Sequence, residues 1–244
     1  PFAHKLIHQA IEVQELMTSL QQNIVGHLRI ACSTTAGKYI LPQLAARFCQ
    51  RFPGINVSIL ACRPLNVIPQ LLEGEANLAV VSSYDLCGNG FECQEFFKDG
   101  ITLIVPARHP WAMRSAVDPA DLLDEPLLMR EPTSGTRRRI LTELAKHDIG
   151  LDDLDIFLEL GNAEAIVRTV EAGYGVSFIS TLAAEWALNL GRVVSVPVVD
   201  FDLQRTIFMV RRELDTPNRA QEVFWNFVHA PSNADLLRLA GQEA

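Results

Sequence analysis

Hydroxyl-bearing residues gather where a strand gives way to a helix, in Ser33-Thr34-Thr35-Ala36-Gly37. Ahead of them Leu28, Ile30 and Cys32 alternate with polar neighbours as a short strand does, and from Leu41 onward Leu44, Ala45, Phe48 and Phe52 take helical spacing. A serine or threonine at that junction caps the helix. The uncapped N–H groups of the first turn carry partial positive charge, so the junction suits a carboxylate, phosphate or sulfate without any fully charged side chain. An ordinary N-cap has the same composition, and the stretch alone does not separate the two readings. The pattern recurs in Glu131-Pro132-Thr133-Ser134-Gly135-Thr136-Arg137, again ahead of a helix, and Asn162 stands as the cap of another.

Further candidates follow apolar runs. Arg63 comes after Ile55 to Cys62, and Ser82 and Ser83 come after Leu78 to Val81. If these runs are parallel strands, their carboxyl ends lie beside Ser33 to Thr35, where such sheets take their ligands. Arg63 suits an anion, but equally a solvated rim or a contact with a second copy. Arg137, Arg138 and Arg139 read as the cover of a helix face. Catalytic patterns are missing: there is no defensible Ser-His-Asp order, no HExxH and no GxxxxGK, so no catalytic residue is assigned. No cofactor and no metal are expected. His4 and His8 are four apart, but a metal needs further ligands nearby.

Composition narrows the partners. Of 244 residues, 29 are acidic and 21 basic, a net charge of −8 that argues against gripping a DNA backbone unaided. The five cysteines show no repeated CxxC and fit a reducing cytosol. Cys87 and Cys93 flank Gly88-Asn89-Gly90, close enough for a redox pair, although free thiols are the plainer expectation. No run reaches the roughly 18 apolar residues of a membrane span, and no signal peptide opens the sequence. A cytoplasmic chain with no membrane partner is expected.

These candidates need elements to hold them. Residues 1–25 keep a heptad seam through Ala3, Leu6, Ala10, Val13, Met17, Leu20 and Ile24, the mark of a helix that pairs with another. Leu6, Ala10, Val13, Met17 and Leu20 are therefore assigned to dimerisation. Strand, helix, strand, helix, strand follows, ending at Val81. Strands are read over Phe91 to Lys98 and Ile101 to Val105, and prolines 106 and 110 mark a passage into a second αβ wind. A helix is read over Asp118 to Leu123 and another over Ala163 to Ala172, the latter closed by Gly173 and Gly175. Arg205 to Val210 is a strong apolar strand leading to a closing helix over Pro217 to Val228. The residues beyond Pro231 read as a loose tail. The two passages place hinge residues at Val105, Pro106, Arg205 and Thr206.

The segments GHLRIACSTTAGKYILPQLAARFCQRFPGINV, LLEGEANLAVV, LIVPARHPWA, EPTSGTR and NAEAIVRTVEAGYGVSFIS stand in order over nearly all of Gly26 to Pro231. Together they resemble the effector-binding domain of LysR-type transcriptional regulators. The resemblance implies an α/β fold of two Rossmann-like lobes in the periplasmic binding protein type 2 architecture, preceded by a long N-terminal linker helix. It implies a linker over 1–25, a first lobe over 26–105 and 207–231, a second over 106–206 and a tail over 232–244. A small anionic metabolite would bind between the lobes at Ser33, Thr34, Thr35, Arg63, Ser82, Ser83, Thr133, Ser134, Gly135, Thr136 and Asn162. The chain would form a homodimer or homotetramer and meet promoter DNA only through a winged helix-turn-helix domain that is missing here. The alternative is a solute-binding protein of a transport system, which shares the fold but fits the linker helix and the cysteines less well.

Overall fold

The computed structural model describes residues 25–82, 87–88, 90–213 and 218–240. The heptad segment with Leu6, Ala10, Val13, Met17 and Leu20 lies outside them, as does Ser83. Nine strands are described: β1 (Gly26–Cys32), β2 (Ile55–Ala61), β3 (Leu78–Val81), β4 (Phe91–Pro106), β5 (Leu127–Arg130), β6 (Ile156–Leu160), β7 (Ser177–Ser180), β8 (Val193–Val196) and β9 (Gln204–Arg212). The described α-helices are α1 (Thr35–Arg51), α2 (Val67–Leu72), α3 (Gly135–Ala145), α4 (Ala163–Glu171), α5 (Thr181–Asn189), α6 (Arg219–Phe227) and α7 (Ala234–Ala240). They divide into two compact units. Residues up to Phe97 and from Thr206 to Leu239 form the first, and Lys98–Arg205 the second.

In the first unit β1 lies between β2 and β3, parallel to both, and β9 runs antiparallel along the far side of β3. Leu28, Ile30, Leu78 and Val80 on these strands are fully buried, as are Leu44 and Phe48 of α1. Phe48 meets Phe224 of α6 edge-on at 4.9 Å between ring centroids, so the helical spacing read from Leu41 onward is what seals this face of the sheet. The expected loose tail is instead a short 3-10 turn (Pro231–Asn233) followed by α7. Leu236 is buried there and Asp235 pairs with Arg47 of α1. A seven-residue helix carries too weak a periodic signal to stand out, and docking is what holds it.

In the second unit the later part of β4 runs antiparallel to β7 on one side and β8 on the other. β5 and β6 pair in parallel, and a parallel bridge from Leu127 to Val176 ties β5 to the start of β7. Leu103, Val105, Leu122, Ile140, Val176 and Phe178 meet in its core. The helix read over Asp118 to Leu123 is a 3-10 turn at Pro119–Asp124, its start held by the Asp121 carboxylate accepting the Asp118 N–H at 3.0 Å.

The first passage between units is corrected. β4 is one strand of 16 residues, and the chain enters the second unit at Phe97 to Lys98, ahead of Pro106. Val105 and Pro106 sit well inside the second unit, paired with Val194 and Val193. Asp99-Gly100 looks like a strand break because an aspartate disfavours a sheet interior. Here its carboxylate is satisfied by partners, and the strand runs through. The prolines mark where the strand ends, not where the chain changes unit. The second passage lies between Arg205 and Thr206.

Candidate functional site

In the first unit the carboxyl ends of β2, β1 and β3 stand side by side, with Cys32 in register with Ala61 on one flank and Val80 on the other. Ser33 follows β1 and is stitched to β3, its N–H and its Oγ both donating to the Val80 carbonyl at 3.1 and 3.3 Å. Thr34 is the N-cap of α1, its Oγ1 accepting the Gly37 N–H at 2.8 Å. Thr35 is the buried first residue of the helix. Gly37 allows this packing, because a Cβ there would stand 2.7 Å from Thr34 Oγ1 and 2.9 Å from both Cys32 Sγ and Val80 Cγ1. Without it the start of α1 could not settle onto the strand ends. Ser82 follows β3 and is half-buried, and exposed Arg63 follows β2.

The second unit repeats the arrangement with different residues. Arg130 at the end of β5 is in register with Leu160 at the end of β6, so the segments that follow start as neighbours. Ser134 caps α3, its Oγ accepting the Thr136 N–H at 3.2 Å, with half-buried Thr133 before it and Gly135 opening the helix. Asn162 caps α4, its Oδ1 accepting the Ala165 N–H at 2.8 Å. Thr136 is buried, and its Oγ1 accepts from Arg205 Nη1 at 2.9 Å. The arginine run is only partly a surface cover. Arg137 is buried, donating to the Arg130 carbonyl at 3.0 Å and pairing with Glu159, while Arg139 pairs with Asp202 and Glu143.

Two residues absent from the sequence reading complete this region. Asp99 is fully buried, its Oδ2 accepting from Arg205 Nε at 2.8 Å and Nη2 at 2.6 Å. Its Oδ1 accepts from Ser180 Oγ at 2.6 Å, at the carboxyl end of β7. No spacing rule connects residues 99, 136, 180 and 205. The only available signal was the presence of a charged pair at the two ends of one unit.

The cysteines part company with expectation. Cys87 and Cys93 are joined in a disulfide, Cα to Cα 5.5 Å, across a turn made by Gly88 and Gly90 at φ +83° and +87°. Only glycine takes that backbone readily, and two of them reverse the chain within the six-residue separation. Cys32, Cys49 and Cys62 are free thiols. Burial pushes the Cys62 thiol up to about 11, with Cys32 beside it adding to the effect and Lys38 opposing it. Burial likewise raises Cys32. Among the described residues no three His, Cys, Asp or Glu side chains gather to hold a metal, and no helix is long and apolar enough to cross a membrane.

The family model for the LysR substrate binding domain matches residues 21–231. The chain belongs to this LysR family. It is the effector-binding region of a transcriptional regulator, which sets aside the transporter alternative. An uncharacterized HTH-type transcriptional regulator of Methanocaldococcus jannaschii is 32% identical over 226 residues, covering 93% of this chain and 76% of the relative. The HTH-type transcriptional regulator CbbR of Rhizobium meliloti is 29% identical over 222 residues, covering 90% and 69%. Among solved structures, the CcmR regulatory domain of Synechocystis PCC6803 in complex with 2-PG superposes with a TM-score of 0.74 at 26% identity, covering 83% of this chain and 95% of that one. The LysR fold is thus the α/β, type 2 periplasmic binding architecture.

Proposed function

We propose that this chain senses a small anionic metabolite in the cytoplasm and reports its presence, as a homodimer or homotetramer, to N-terminal winged helix-turn-helix domains that hold promoter DNA. The observation carrying this reading is the pair of Ser/Thr-capped helix starts, one in each unit, each at the carboxyl end of a parallel strand. Hydroxyls and first-turn N–H groups supply oriented donors, and each hydrogen bond to a charged group contributes roughly 1.5 to 3 kcal/mol. Ser33, Thr35 and Ser82 are the proposed contacts in the first unit, and Thr133, Thr136 and Asn162 in the second. The CcmR domain in complex with 2-PG supports a small metabolite as the ligand class. No catalytic step is assigned to the chain. A bound metabolite alters the regulator only if its two states bind that metabolite unequally. The heptad over residues 1–25 is the proposed dimerisation helix, with Arg205 and Thr206 as hinge residues.

The test is calorimetric titration of wild type and Thr35→Ala with 2-PG, inorganic phosphate, sulfate and a cationic amine. An anion is expected to bind, and the variant to bind it about tenfold more weakly, the factor that corresponds to ~1.4 kcal/mol. Preference for the amine, or equal binding by both proteins, overturns the reading.

A further inference from the structure

The buried ion pair at the two ends of the second unit reaches a third group, at the start of α3. Asp99 is the second residue after the chain enters the unit, and Arg205 is the last before it leaves. Arg205 holds the Asp99 carboxylate through Nε and Nη2, and Ser180 closes the other carboxylate oxygen. The remaining Nη1 protons of a buried guanidinium also need an acceptor. That acceptor is the hydroxyl of Thr136, in the first turn of α3. A threonine hydroxyl has one proton to donate and accepts through its oxygen. With a guanidinium N–H donated into that oxygen, the proton is directed elsewhere and is a stronger donor, because hydrogen bonds in series polarise one another. Lysine could neutralise Asp99, but a single ammonium does not reproduce the planar fork that reaches both groups at once.

Resting on the anion-sensing reading above, we propose that Arg205 is a positioning residue for the anion bound at the start of α3. Anchored on Asp99, its guanidinium turns the Thr136 hydroxyl proton toward the ligand. The same guanidinium ties that hydroxyl to the point where the chain enters the unit and the point where it leaves. Occupancy at α3 is therefore felt at Asp99 and Arg205 without a ligand touching either passage.

The experiment is a double-mutant cycle on the whole chain: wild type, Arg205→Lys, Thr136→Val and the double variant, each titrated with 2-PG and with inorganic phosphate, and each checked for folding by thermal unfolding. Arg205→Lys should weaken the anion about tenfold, the loss expected of one charge-assisted hydrogen bond. In the Thr136→Val background the same change should alter affinity by no more than about twofold, because the group through which Arg205 acts is gone. A merely structural role predicts the same loss in both backgrounds, and that result overturns the proposal while leaving anion sensing intact. A wild type that binds neither probe removes the anion-sensing reading, and this one with it. Should Arg205→Lys not fold, the wild-type protein carries the test: its Arg205 Nε–H resonance should move along the same saturation curve as the Thr136 amide. A resonance that stays put through saturation overturns the proposal.

Discussion

The Thr34 hydroxyl oxygen accepts the Gly37 N–H at 2.8 Å while standing only 2.7 Å from where a Gly37 side chain would begin. The cap and the missing side chain are therefore one device, which seats α1 on the ends of β1 and β3. Gly37→Ala forces a methyl against Thr34, Cys32 and Val80 and should cost about 1 to 3 kcal/mol, the usual range for overpacking. Thr34→Ala, which removes only the cap acceptor, should cost about 1 kcal/mol. Chemical denaturation of both variants checks the order. A Gly37→Ala protein as stable as wild type would contradict this seating of the helix.

Gly175 plays a different part in the second unit. It combines φ +144° with a would-be Cβ 2.3 Å from the Pro126 carbonyl oxygen, which also accepts the Val176 N–H at 3.0 Å. Gly175→Ala should therefore detach β5 from β7 at a cost of roughly 2 to 6 kcal/mol, the sum of backbone strain and steric clash. Thermal unfolding reads it, and an unshifted midpoint would rule the contact out.

Acid should loosen α7 before the rest of its unit. Arg47 donates to Asp235 Oδ1 at 2.7 Å and to Oδ2 at 2.5 Å, and this hydrogen bonding holds the Asp235 carboxyl down at about 2. An unfolded aspartate titrates near ~3.9. Because the folded value is the lower one, the contribution is complete above the unfolded value and disappears as pH falls toward about 2. Both side chains meet solvent, so the effect is local and falls with added salt. Carbon-detected NMR titration should place the Asp235 midpoint near about 2 in wild type and return it to the ordinary range in Arg47→Gln. An ordinary midpoint with Arg47 present would dismiss the pairing.

Thiol labelling separates the five cysteines. In denaturant without reductant Cys32, Cys49 and Cys62 should react, and Cys87 and Cys93 only after reduction. In the native protein at pH 8, Cys62 should label slowly and accelerate as pH climbs toward about 11, since the thiolate is the reactive form. Replacing both Cys87 and Cys93 by serine should cost about 2 kcal/mol, the loop-closure value for so short a ring. Five reactive thiols without reductant would exclude the bridge.

What could be read from residues alone was local. The capping roles of Thr34, Ser134 and Asn162 follow from side chains bonding to N–H groups two or three residues away, which sequence displays directly. Asp99 could not be read in that way. Its partners are residues 180 and 205, and without them an aspartate before a glycine looks like the end of a strand. Arg137 misled for the same reason, because the Arg130 carbonyl and Glu159 that bury it come from elements the helix pattern does not mention. The disulfide depends on two left-handed glycines, a backbone property that composition only hints at.

The placement of β9 has a consequence for the order in which the chain acquires structure during synthesis. Lys98–Arg205 is contiguous, so a ribosome that has released Arg205 has delivered the core of the second unit, while the first, begun earlier, still lacks β9 and α6. Until β9 emerges, one edge of β3 has no strand to bond, and that edge is Leu78, Ala79, Val80 and Val81, all buried in the finished protein. An open, apolar strand edge is a template for wrong pairing. The nascent chain is thus open to wrong pairing at an element made long before, and nascent-chain chaperones are expected to shield it until β9 arrives.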